Sequence, residues 1–242
     1  MNNFGLAFRN MPPVTKNLIV ICVIVFVAGL VPQIGNNLMK YCALHFYDAS
    51  NFNLAQLVTY MFMHGNFPHI FFNMFTLFMF GITLEYVMGS RRFLTYYMVC
   101  GIGAALIQQI VWALTLPDMI TQELASLNRM PFEQMANIMA LDPSILARNL
   151  EMFSTVGASG AVYGVLLAFG MLFPNRPLYL MFLPVPIKAK WMVFIWGGME
   201  LLLGMSSASD GIAHFAHLGG MIFGFILMIY WKKKGLVRGD FY

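Results

Sequence analysis

Six apolar runs, separated by polar intervals, limit what this chain can fold into. They lie at roughly 18–31, 68–87, 93–116, 159–174, 191–205 and 212–231. A helix crossing a hydrocarbon layer needs about 20 residues, so a chain of this size has room for about six with their connections. Of the 242 residues, 60% are apolar and 10% charged, against about 45–50% and about 25% in soluble domains. The mean hydropathy is +0.71. A water-soluble domain cannot hide that much apolar surface behind its polar shell. The expected fold is therefore all-α: a single membrane domain over 1–242, a bundle of six transmembrane helices. The first run lacks a small-residue cleavage site after it and reads as a retained span.

The net charge of +4 and pI near 9.0 do not point to nucleic acid, because the basic residues stand at the ends of apolar runs instead of forming a stripe. Arg9, Lys16, Arg91, Arg92, Arg176, Lys188, Lys190, Lys232, Lys233, Lys234 and Arg238 fall on one side of a six-span topology. Only Lys40, Arg129 and Arg148 fall on the other. The positive-inside rule then predicts a multi-pass protein of the cell membrane with both termini cytoplasmic. Cys22, Cys42 and Cys100 are scattered and offer neither a disulfide framework nor zinc spacing.

The stretch from about 36 to 66 is too interrupted to cross a bilayer, and its Tyr, Phe and Asn suit an interfacial loop. The interval 117–155 is long for a connection. Its apolar residues recur at helical spacing, as in Ile120, Leu124 and Leu127 or Phe132, Met135 and Met139. Pro131 and Pro143 divide it, and Asp142-Pro143 reads as an N-cap followed by proline at the first helical position. The pattern predicts an external amphipathic loop of two or three short helices on the outer surface.

Polar groups inside apolar runs are costly and are candidates for function. Here they form three groups, each near the outer end of a span. Gly157-Ala158-Ser159-Gly160, with Tyr163 and Gly164, places a serine where a polar loop becomes a helix. Free backbone N–H groups there face a developing oxyanion. Alone, this string reads as readily as close helix packing through a GxxxG pair. His217, Gly220 and Gly224 share one face of the sixth run, which lets a histidine approach another helix as a general base. His214 is as readily a packing residue. His69 and Asn73, four residues apart at the start of the second run, are both able to donate to a carbonyl oxygen turning negative.

Together, GxSG, HxxGxxxG and HxxxN resemble the rhomboid intramembrane proteases, of the bacterial type, most strongly over 52–231. The resemblance implies that Ser159 is the nucleophile and His217 the base, and that His69 and Asn73 bind the oxyanion. Tyr163, Gly157, Gly160, Gly220 and Gly224 support them. It implies a serine endopeptidase with no cofactor and no metal. Its partners would be transmembrane protein substrates and the lipid bilayer, with the site opening to the outer face. Glu85 matches a structural acid near the cytoplasmic end of the second span. Where many members carry Trp-Arg before that span, this chain has Ala55-Gln56. The mechanism implied is a Ser–His dyad without a fixed acid, Asp210 being about 10 Å along the helix from His217. An inactive relative that binds membrane clients usually lacks the serine or the base. A histidine-based transporter would want carboxylates along its path, and Glu200 is the one acid well inside the last three runs.

Overall fold

The computed structural model describes residues 10–179, 186–206 and 213–237. Arg9, Asp210 and Arg238 lie outside the described residues, as does the C-terminal Tyr242. The chain is mostly helical, and the apolar runs become its long helices. They are α1 (Pro13–Gly29), α4 (Phe67–Met88), α5 (Ser90–Leu127), α8 (Ser159–Leu172), α9 (Ala189–Met205) and α10 (His214–Lys233). Of these, α4, α5 and α10 are long and apolar enough to cross a membrane, while α1 and α8 are apolar but shorter. Short helices α2 (Pro32–Cys42), α3 (Gln56–Thr59), α6 (Phe132–Leu141) and α7 (Pro143–Leu150) fill the two long intervals. A 3-10 turn at Tyr60–Phe62 follows α3.

Local sequence sets the helix starts. Proline occupies the first turn of α1, α2, α4 and α7, where its missing N–H costs no intrahelical bond. Asn66 caps α4, its Oδ1 accepting from the His69 backbone N–H at 2.9 Å. Asp142 caps α7 through Ser144 N–H at 3.1 Å. Glu85 caps α1 from a neighbouring helix. Its carboxylate accepts from the backbone N–H groups of Val14 (2.9 Å) and Thr15 (2.7 Å), the Thr15 hydroxyl (2.8 Å) and the Ser90 hydroxyl (2.6 Å). A buried anion is thereby satisfied where the α1 dipole is positive.

The closest packing joins α5, α8 and α10, and the glycine faces expected from sequence are the cause. A methyl on Gly220 would stand 1.9 Å from the carbonyl oxygen of Gly160, and one on Gly160 would stand 2.4 Å from the Ala104 Cβ. Backbones therefore meet at the crossing of α8 and α10. Gly224 faces α5, where the Tyr96 hydroxyl would lie 2.4 Å from an added Cβ while it donates to the Gly164 carbonyl at 2.8 Å.

One boundary differs from the sequence reading. The apolar pattern predicts an end to the third run near Leu116 and a separate short helix after Pro117, yet α5 continues through Pro117 to Leu127. At ~1.5 Å per residue its 38 residues reach about 57 Å, well beyond the hydrocarbon thickness. Proline is tolerated because tertiary packing outweighs the lost bond: Leu116, Ile120 and Ala125 are buried in one core with Met135, Met139 and Leu150 of α6 and α7. The Thr121 hydroxyl also donates to the Pro117 carbonyl at 2.7 Å. The two short helices α6 and α7 form as the periodicity of 132–150 predicts.

Two strand pairs tie the loops. Strand β1 (Leu44–His45) pairs antiparallel with β2 (Ser154–Thr155), Leu44 opposite Thr155 and His45 opposite Ser154. Strand β3 (Pro177–Leu178) pairs with β4 (Ile187–Lys188) between α8 and α9. The first pair matters for the site, because β2 leads directly into Ser159. It is clipped to α5 by Gln109, which donates to the His45 carbonyl at 2.6 Å and accepts from Tyr47 N–H at 2.9 Å. Gln56, fully buried, donates to the Asn51 carbonyl at 2.8 Å and accepts from His45 N–H at 3.2 Å. The residue that departs from the Trp-Arg pattern thus organises this loop by hydrogen bonding.

Candidate active site

The N-terminal turns of α4, α8 and α10 meet at one end of the bundle, which is how residues 58 positions apart come into contact. Ser159 is the first residue of α8, where the helix has its unpaired backbone N–H groups. His217 stands in the first turn of α10. Its Nε2 lies 2.8 Å from Ser159 Oγ, a hydrogen-bond distance for a nucleophile and a base. The ring of Tyr163 stacks on the His217 imidazole, with centroids 4.4 Å apart and planes at 9°, and so limits its rotation.

Gly157 shapes the floor beside the serine. Its φ of +138° is open to glycine but not to L side chains. An added Cβ would lie 2.8 Å from His69 Nε2 and 3.5 Å from Ser159 Oγ. His69 and Ser159 therefore flank the same small space, bounded by bare backbone. The Gly157 N–H donates to the Tyr60 carbonyl at 2.9 Å. Asn73 is buried, and its Nδ2 donates to the His69 carbonyl at 2.9 Å. In this resting arrangement its amide braces the turn that carries His69. His64, in the loop before α4, sits edge-on to His69 with ring centroids 5.1 Å apart. Burial first, then the neighbouring His69, pushes the His64 imidazole down to about 4.

The structure adds a group that motif spacing did not assign. Glu200 of α9 is 6% exposed. It accepts from the Tyr163 hydroxyl through Oε1. Its Oε2 lies 2.6 Å from His214 Nδ1 and 3.0 Å from His217 Nδ1. The His217 contact is within ion-pair distance, yet Nδ1 has no hydrogen-bond partner among the described residues, so the approach is off the N–H line. His214 turns to Glu200, and it is His217 that faces the serine. The available signal was the acid itself, since a carboxylate in an apolar helix needs a partner. Nothing in the sequence said which partner. Glu200, His214 and His217 offer donor atoms within 4.8 Å of one another, a nitrogen and oxygen set that zinc accepts. Here both imidazole Nδ1 atoms lie against the one carboxylate oxygen, Oε2.

Most of the chain is similar to known proteins. The family model described as "Rhomboid domain" matches residues 51–234. The chain is 28% identical over 237 residues to Rhomboid protein 1, mitochondrial, of Saccharomyces cerevisiae, covering 93% of this chain and 58% of that protein. It is 26% identical over 178 residues to Rhomboid protease AarA of Providencia stuartii, covering 70% and 53%. It is 27% identical over 188 residues to RHOMBOID-like protein 12, mitochondrial, of Arabidopsis thaliana, covering 76% and 48%. The chain thus spans about half the length of these relatives, which are mitochondrial and bacterial alike.

Proposed function

This chain belongs to the rhomboid family, and from that premise we propose that it is an intramembrane serine endopeptidase of the bacterial type that cleaves transmembrane segments of membrane-anchored proteins. The observation that carries the proposal is the 2.8 Å contact between Ser159 Oγ and His217 Nε2, at a helix N-terminus within a chain of apolar helices.

The reaction follows from that contact. His217 Nε2 takes the Ser159 proton as Oγ attacks a peptide carbonyl, forming a tetrahedral oxyanion. Backbone N–H groups at the start of α8 and the side chains of His69 and Asn73 stabilise the charge, Asn73 after its amide turns from the His69 carbonyl. The imidazolium then protonates the leaving amine and the C–N bond breaks, leaving an acyl-enzyme. Water attacks that ester, His217 accepting its proton and returning it to Ser159. Water must therefore reach the site, which fits its position at one end of the bundle. A substrate helix hides its carbonyls in hydrogen bonds, so segments with small or helix-weakening residues near that end are the expected substrates.

The proposal includes a single domain of six spans in the cell membrane, with both termini cytoplasmic and the site opening to the outer face. The distribution of Lys and Arg supports it. A reporter fused after Tyr242 would read as cytoplasmic and one inserted near Ser126 as external; a cytoplasmic signal at Ser126 would invert the topology.

The chemical test is labelling by a fluorophosphonate, which needs an activated serine, together with cleavage of a model transmembrane substrate in liposomes. Ser159→Ala and His217→Ala abolish cleavage in folded protein, while His214→Ala retains measurable activity. Absence of labelling at Ser159 in the wild-type chain would instead identify an inactive relative that binds membrane clients.

A further inference from the structure

A carboxylate inside an apolar helix is retained at a cost of several kcal/mol unless donors satisfy it. Glu200 has three candidate donors, and they come from two other helices: Tyr163 from α8, His214 and His217 from α10. The atoms run in sequence. Glu200 Oε2 lies 3.0 Å from His217 Nδ1, and the opposite ring nitrogen, Nε2, lies 2.8 Å from Ser159 Oγ. An imidazole accepts a proton at Nε2 only when its other proton sits on Nδ1. A carboxylate on the Nδ1 side favours that tautomer and opposes the reverse one.

The same carboxylate also fixes the ring indirectly. Tyr163 covers one face of the His217 imidazole at 4.4 Å, and its hydroxyl is tethered to Glu200 Oε1. His214 holds Oε2 at 2.6 Å, so the oxygen that meets His217 is itself positioned. In the resting state that oxygen lies off the His217 N–H line. Once His217 has taken the serine proton, the positive charge on the ring attracts the carboxylate 3.0 Å away in a site of low dielectric.

We propose that Glu200 is a positioning residue for the reaction, the third member of a Ser159–His217–Glu200 triad, supplied by α9 and held by Tyr163 and His214. It takes no proton. It sets the tautomer and orientation of His217 and stabilises the imidazolium formed when Ser159 attacks. This replaces the acid-free dyad expected from sequence, and it rests on the serine protease reading given above. It also makes turnover depend on the seating of α9 against α8 and α10.

The test uses the full chain, purified in detergent, with a transmembrane substrate. Four quantities are measured for wild type, Glu200→Gln, Glu200→Asp and Ser159→Ala: kcat, KM, the rate of fluorophosphonate labelling and the thermal midpoint. Loss of an orienting triad acid by amide substitution costs ~10⁴ in kcat where it has been measured. Here His217 is also held by Tyr163, so the expected loss in Glu200→Gln is about 10²–10⁴ in kcat and in labelling rate. KM should stay within about twofold, because a positioning residue acts on the chemical step. Glu200→Asp, which keeps the charge on a shorter arm, recovers at least a tenth of wild-type kcat. Wild-type kcat in folded Glu200→Gln overturns the triad, as does a loss that Glu200→Asp shares in full. A lower midpoint with unchanged kcat per folded enzyme also overturns it and leaves Glu200 a packing residue. Activity lost in EDTA and restored by zinc overturns it in favour of a metal site. If Ser159→Ala still cleaves, the protease reading itself fails. If Ser159→Ala is inactive while Glu200→Gln is normal, only the triad fails.

Discussion

Gly220→Ala tests the idea that the distance between Ser159 and His217 is set by backbone contact between α8 and α10. In the structure the added methyl would stand 1.9 Å from the Gly160 carbonyl oxygen and 2.6 Å from its carbonyl carbon. Real Cβ atoms essentially never approach below 3.0 Å, so the helices must separate locally by about 1 Å. No flexible side chain is available to give way, because the opposing atoms are backbone. His217 lies one turn before Gly220 on the same helix and Ser159 immediately before Gly160, so the separation falls on their 2.8 Å contact. Overpacking of this kind costs ~1–3 kcal/mol and sometimes more. A misplacement of ~1 Å at reacting groups costs on the order of 10² in rate. Gly220→Ala is therefore expected to lower the thermal midpoint by several degrees and to reduce kcat per folded enzyme by about 10²-fold. The control is Gly198→Ala in α9, where no described atom lies within 4 Å of an added Cβ. That change should be neutral or stabilise by ~0.5–1 kcal/mol. The assay is liposome cleavage alongside thermal unfolding in detergent. Wild-type kcat and midpoint in Gly220→Ala would refute the argument, since the crossing would then tolerate an extra methyl.

Other expectations concern the remaining buried polar groups. His69→Ala should lower turnover by about 10²–10³-fold with little change in KM; Asn73→Ala should lower it less, because its amide engages the His69 carbonyl, and unchanged turnover in the double variant would return both to packing. Glu85→Gln removes the charge that caps α1 and should cost ~2–4 kcal/mol, leaving cleavage by the folded fraction intact; an unaltered thermal midpoint would contradict this. For His64, the folded value of about 4 lies below the ordinary 6.5, so the unfolded chain takes the proton first. Its effect is absent above pH 6.5, and stability falls by up to about 2–3 kcal/mol as pH drops from there towards 4. His64→Ala should flatten that part of a denaturation-versus-pH curve, and an identical slope would sink the assignment.

Much of the candidate site is legible along the chain because its signals are local. Apolar run length points to helices in lipid, and proline and Asn or Asp mark where they begin. Small-residue spacing around Ser159 and His217 marks two faces able to touch, and that pairing is present in the structure. The motif also distinguishes His217 from His214: only the former has the glycine face three and seven residues on, and only the former meets the serine.

What the sequence determined by itself is thus the solvent of the fold, the approximate places of its helices and the residue types at the serine end of the bundle. Tertiary structure decided the rest. Pro117 reads as a helix end until the burial of Ile120 and Thr121 against α6 and α7 makes continuation favourable. Gln56 reads as a departure from a pattern until its hydrogen bonds to His45 and Asn51 are seen. Glu200 reads as an isolated acid, because its partners lie 37 and 14 residues away on helices whose rotation is set by glycine packing. Periodicity reports which face of a helix is apolar, whereas the angle at which two helices cross depends on side chains distant in sequence. That crossing angle decides whether a carboxylate on α9 faces lipid or an imidazole.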